Sequence, residues 1–238
     1  MADDNKPLKY MRYAFGEIIL VVIGILIALS INNWNEDQRN KKSEKYYLNQ
    51  MKIDLCADSL ILSNVSIDLK KRLPVLQNFL QELHKENNKE SFNQAIKQYI
   101  NTILSPIFFI NNNATYNEME SSAKLGIIND KELRKKIVTL NNHLEITKNT
   151  FTANHGFMQV VDIELIHKKG LAKYQKNQNA LFSSYLSDDE LYKLKDIKFE
   201  LESNAANWNW SIVDLQPVVE SQLAELRDVI AEINKQLE

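Results

Sequence analysis

From Leu48 onward, leucine returns every seventh residue: Leu48, Leu55, Leu62, Leu69, Leu76 and Leu83. A partner stripe of Met51, Val65 and Phe79 runs beside it, broken by Asp58 and Arg72. Steps of three and four residues between apolar positions mark one face of a long helix. Pro74 falls inside the stripe, which continues in phase beyond it, so a kink is expected there. Ser91 to Leu104 reads as a shorter helix, capped at Ser91 and stopped before Pro106. The Asn111-Asn112-Asn113 triplet reads as connector, and Ala114 to Leu125 as a short helix with Gly126 as its C-cap. Asp130 then opens a helix whose Ile137, Leu144, Phe151, Met158 and Leu165 are seven apart, ending near Lys168, Lys169 and Gly170. Residues 171–187 form a polar connector. Ser187 and Glu190 stand in capping-box positions before the last helical region, where Ile212, Val219, Leu226 and Ile233 recur by sevens and Pro217 is expected to break or bend the chain. The pattern predicts an all-α fold, with residues 35–238 forming an elongated antiparallel helical bundle. The heptad period also fits a coiled coil between chains. Matching stripes on several helices of one chain favour packing within it.

The first part of the chain breaks this rhythm. After a short polar tail at residues 1–12, residues 13–34 are almost wholly apolar, and no polar side chain occurs between Ile18 and Leu29. Twenty-two helical residues reach about 33 Å, enough to cross a bilayer core. Tyr13 and Trp34 sit at the two ends as interface anchors would. Two rivals share this pattern: a buried core helix, and a cleavable signal peptide with Ala28-Leu29-Ser30 as its processing site. Glu17 interrupts the apolar run near its start and argues against cleavage. It lies about one turn inside, within reach of headgroups or of Lys9 and Arg12. Gly24 and Ala28 form a small-xxx-small pair through which two spans could approach. Glu17, Gly24 and Ala28 are therefore the candidate contacts within the membrane. Basic residues flank the span on both sides, so the positive-inside count leaves orientation open. A short basic tail before a first span resembles a signal anchor, which places the carboxyl-terminal domain in the periplasm.

Composition narrows the picture. The chain has only 5 Gly and 4 Pro in 238 residues, too few to punctuate the many strands of a sandwich or barrel. The net charge of −2 offers no basic excess to neutralise phosphates, so no nucleic-acid partner is expected. The expected partners are the lipid bilayer and other proteins, or a second copy of the chain. Asn is abundant, at 27 residues, which reads as a bias of composition.

Catalytic signatures are scarce. His143, His155 and His167 are twelve apart and so point to three faces of a helix. Glu164 and His167 match half of a di-iron Glu-x-x-His arrangement, without the second unit such a site needs. Cys56 is the single cysteine, which excludes an intramolecular disulfide and reads as a small core filler. No cofactor, metal or catalytic residue is assigned. Trp208 falls in the stripe of Leu194, Leu201 and Leu215. Trp210 is off that stripe, so Asn207 and Trp210 form the candidate binding surface.

Two blocks carry a resemblance. Gly16-Glu-Ile-Ile-Leu-Val-Val-Ile-Gly-Ile-Leu-Ile-Ala-Leu29, followed by Asn32-Asn-Trp-Asn-Glu36, closely resembles an uncharacterised Bacteroidota membrane family, the domain of unknown function 6090. Thr115-Tyr116, Met119, Ser121-Ser122, Leu125, Ile127-Ile128 and Leu133 are similar to a second block of that family. Its members often carry Gly straight after the Ser pair, where this chain has Ala123. The resemblance implies a single amino-terminal span and a helical, extracytoplasmic domain, and it brings no known activity. The function expected is a membrane-anchored scaffold or accessory subunit of a bacterial cell-envelope assembly, on the inner membrane. Ligand sensing by the bundle and a metal-dependent enzyme using Glu164 and His167 are the alternatives.

Overall fold

A computed structural model describes residues 6–168, 171 and 186–238. The side chains of residues 6–10, 12, 13, 167 and 168 lie outside that description. So do four sequence expectations: the Tyr13 anchor, the His167 half of the Glu164 pair, the helix end at Lys169 and Gly170, and most of the polar connector at residues 171–187.

All the described elements are helical. Helix α1 runs unbroken from Lys6 to His84, 79 residues, or about 120 Å at 1.5 Å per residue. The apolar segment and the first bundle helix are thus one rod. Its apolar stretch has a mean hydropathy of 2.7, with none of it buried, and every side chain from Ala14 to Asp37 is exposed. This excludes the core-helix reading, since such a helix would be covered by the rest of the chain. One described helix is long and apolar enough to cross a membrane.

From Glu44 onward the rod acquires neighbours. Leu48, Leu55, Leu62, Leu69, Leu76 and Leu83 are all buried, as the heptad predicts. Helix α2 (Lys89–Ile103) and helix α3 (Ala114–Ser121) follow, then a 3-10 turn (Lys124–Ile127). Helix α4 (Lys131–Ile163) passes into a π-helical turn (Glu164–Lys168). Helix α5 (Asp188–Tyr192) leads through a 3-10 turn (Lys193–Ile197) into α6 (Lys198–Leu237).

Helix α6 runs against α1. Lys45 reaches the Leu237 carbonyl, Lys70 pairs with Glu220, and His84 pairs with Glu202. It also runs against α4, with Lys136 on Asp228, His143 on Glu225 and Ser211 on Asn154. The apolar faces of these three helices and α2 merge into one core that includes Phe79, Phe92, Tyr99, Phe151 and Trp208. Phe79 and Tyr99 stack at 4.1 Å.

Two helix starts match their sequence signals. Asp130 accepts from the backbone N–H groups of Glu132 and Leu133. Ser187 and Glu190 form the reciprocal capping box.

Four expectations need correction. Ser91 does not cap α2. The cap position is Asn88, because the Ser91 hydroxyl is drawn to the Glu82 carboxylate at 2.6 Å. Gly126 is not the C-cap of α3. The chain turns earlier, with Ala123 in the left-handed region at φ 54°, and Gly126 falls inside the 3-10 turn. Pro217 does not break the last helix, whereas α1 carries on through Pro74 as its in-phase stripe requires. Both rings face solvent, so the core stripes on the other side of each helix pack undisturbed. Nor is Cys56 a core filler, since it is exposed.

Candidate functional site

The two polar residues that interrupt the α1 stripe are the most informative in the bundle. Both are buried, Asp58 completely and Arg72 nearly so. A polar side chain at a core position of a heptad fixes register at a cost in stability. Here each also fastens a connector.

Asp58 Oδ1 accepts from the Asn112 backbone N–H at 2.8 Å and from its side-chain amide at 2.7 Å. One turn earlier, Asp54 accepts from the Thr115 hydroxyl at 2.6 Å. From the opposite side, Asn111 and Asn113 donate to Glu145 on α4. The Asn triplet is therefore a clasp between α1 and α4. Among the described residues Asp58 Oδ2 has no hydrogen-bond partner, and burial pushes the Asp58 carboxyl above its ordinary range. Asn111, chiefly, holds the Glu145 carboxyl below its own.

Arg72 supplies the second fastening. It donates to the Thr102 carbonyl at 2.9 Å and the Ser105 carbonyl at 2.6 Å, while Asp68 takes its Nε–H at 2.8 Å. The orphan carbonyls at the end of α2 thus receive the cation that a helix carboxyl terminus favours. The Arg72 guanidinium lies 5.4 Å from the centre of the Trp208 ring. Trp208 Nε1–H and the Asn204 amide both donate to Asp162 Oδ1 at 2.9 Å. Tyr99 donates to Asn204 Oδ1. Side chains from α1, α2, α4 and α6 thus join in one buried polar chain.

That chain ends at a cleft of about 580 Å³ lined by Leu104, His155, Gly156, Met158, Asp162 and Trp208, among others. Asp162 is 5% exposed, and its Oδ2 has no donor among the described residues. Burial pushes its carboxyl above the ordinary range, against the opposing pull of Asn204, Trp208 and the His155 charge. The same burial, with Asp162 nearby, pushes the Tyr99 phenol well up. A Cβ on Gly156 would meet nothing within 4 Å, so this residue inside α4 leaves open space at the cleft wall. The π-helical turn directly after Ile163 lies beside the same cleft, and such turns concentrate at functional sites. An apolar cleft with one buried, underused carboxyl can hold an apolar ligand that brings a hydrogen-bond donor or a positive charge.

The residues singled out from sequence lie elsewhere. Glu17, Gly24, Ala28 and Trp34 are exposed along α1. Trp210 is 65% exposed on the outside of α6, in line with exposed Phe199 and Val213. The Asn207 amide is turned back to the Ser203 carbonyl of its own helix. It is Trp208, expected only to pack, that faces the cleft. Among the described residues no group of three or more His, Cys, Asp or Glu side chains could hold a metal ion.

No curated protein matches the chain, and no solved structure does. A family model does match, that of a family of unknown function, DUF6090, over residues 17–148. The match runs from Glu17 in the apolar segment, through the Asp58 clasp and Ala123, and stops short of Asp162 and Trp208. It covers more than half of the 238 residues, and with the two blocks noted above it assigns the chain: this protein belongs to the DUF6090 family of unknown function.

Proposed function

We propose that this chain is a membrane-anchored, non-catalytic scaffold or accessory subunit of a bacterial cell-envelope assembly. It crosses the inner membrane once and holds an elongated antiparallel bundle on the periplasmic side. The observation that carries the reading is the continuity of α1. A helix without a break couples whatever the bundle grips directly to the bilayer. That stiffness suits a part that positions partners at a fixed height. The outer faces of α4 and α6 carry exposed Ile146, Val160, Phe199, Trp210 and Val213, enough apolar surface for protein contacts.

Photo-crosslinking from Trp210 or Val160 in intact membranes tests this reading. It expects one reproducible protein adduct from at least one of these positions, and no reproducible adduct from either would contradict it. A carboxyl-terminal alkaline phosphatase fusion tests orientation, and activity is the expected result.

A second reading is favoured by the Asp162 cleft, namely ligand sensing through the bundle. It expects native mass spectrometry of the purified chain to show a bound small molecule that Asp162→Leu loses. A metal-dependent activity would rest on Glu164, and stoichiometric metal in the purified protein would be its support.

A further inference from the structure

We propose that two copies of this chain pair in parallel through the outer face of α1, with Tyr46, Ile53, Leu60 and Ile67 at the contact. The inference rests on the membrane-anchored reading above and names a partner for it.

With Leu48 and Met51 as the inward a and d positions of the heptad, these four residues occupy successive f positions. The f position points directly away from the core and is normally charged or polar. Here it holds Tyr, Ile, Leu and Ile, exposed by 58, 61, 65 and 50%. A stripe about 30 Å long is more than scattered surface hydrophobicity. Its flanks are small or uncharged: Asn49, Cys56 and Ser63 on one side, Gln50, Ala57 and Asn64 on the other. Large residues alternating with small ones are what knobs and holes need.

The unbroken helix indicates the occupant. At 100° per residue, Gly24 and Ala28 fall within about 20° of Ile53 around the axis. The small-residue face of the span and the apolar face outside it are therefore the same side of one rod. Any partner along both must stand parallel to α1 at the same depth in the bilayer. A second copy does so automatically, since its span fixes its height and each stripe residue meets its own counterpart. Confinement to one membrane also raises the effective concentration of the two faces. Asn35, Arg39 and Lys42 interrupt the apolar side between span and stripe, so the pair meets in two patches.

Cys56 reports on this geometry. It is exposed and sits three residues after Ile53, the d-type position of the new seam, where facing side chains approach closely. Membranes containing the full chain are first washed with alkaline carbonate and then treated with copper–phenanthroline. Two thiols pass two electrons to the oxidant, release two protons and join as a disulfide. The expected product is a single species of twice 27.6 kDa, absent in Cys56→Ser. Leu60→Glu should lower its yield at least fivefold. In the Cys56→Ser background, Leu60→Cys should restore the product and Ser59→Cys should not, which keeps the test independent of any folding defect in the Glu variant. Retention after the wash without a Cys56 dimer, or equal yield from Ser59→Cys, would overturn the pairing and leave the anchor standing. Release by the wash would overturn both.

Discussion

Ala123 takes a positive φ that costs a residue with a Cβ about 1–2 kcal/mol. Ala123→Gly should therefore raise stability by about 1 kcal/mol, read as an upward shift in the urea midpoint at constant slope. Gly156 offers the converse case. It is helical and faces open space, so Gly156→Ala should also stabilise, by up to about 1 kcal/mol. The ionisable groups have opposing signs. Asp58 and Asp162 are held above the ordinary 3.8 by burial, so each favours the fold in its protonated form. Their contribution is full below pH 3.8 and is lost as pH rises through the raised values. Glu82 is the reverse. Hydrogen bonds from Lys85, Ser91 and Asn88 hold it at about 2 against an ordinary 4.5. Its contribution is present above pH 4.5 and is lost as pH falls toward 2. Thermal melts across pH should thus show Asp162→Asn gaining on the native chain as pH climbs above 3.8. Glu82→Gln should remove part of the acid-side loss between pH 4.5 and 2.

Element by element, the helices were legible because their apolar residues keep a seven-residue period over many turns. The capping signals of Asp130 and of Ser187 with Glu190 were legible too, since each is local. What sequence hid was non-local. Asp58 and Arg72 look like flaws in a stripe until Asn112 and the end of α2 are brought against them by the fold. The Asn triplet looks like filler until Glu145 arrives from 32 to 34 residues away. The Asp162 cleft needs the end of α2, α4 and α6 at once and leaves no motif in one dimension. Polar residues at core heptad positions of α1 were the one signal available for the Asp58 and Arg72 fastenings. Arg72 should be hard to replace, because it serves two carbonyls from one planar group. Arg72→Lys should cost about 2 kcal/mol and Arg72→Met more, read by chemical denaturation. Pro74 should be easy to replace. It removes a backbone donor from a helix that continues regardless, so Pro74→Ala should stabilise by about 1–3 kcal/mol.

At the scale of the whole molecule, the apolar amino-terminal segment and the first bundle helix form one rod, with helices packed along part of its length. Glycine and proline are scarce because there are few places where the chain must turn, and Pro74 and Pro217 sit on the solvent faces of helices that continue through them. A rod of this kind fixes the distance between the apolar segment and the Asp58 and Arg72 fastenings. The direct test is a spin-label distance across the junction, with Glu36→Cys and Asn64→Cys in the Cys56→Ser chain, diluted with unlabelled protein in lipid nanodiscs. Twenty-eight helical residues predict a narrow distribution centred near ~42 Å. A broad distribution, or one centred well below that length, would show a flexible joint between span and bundle and would contradict the account.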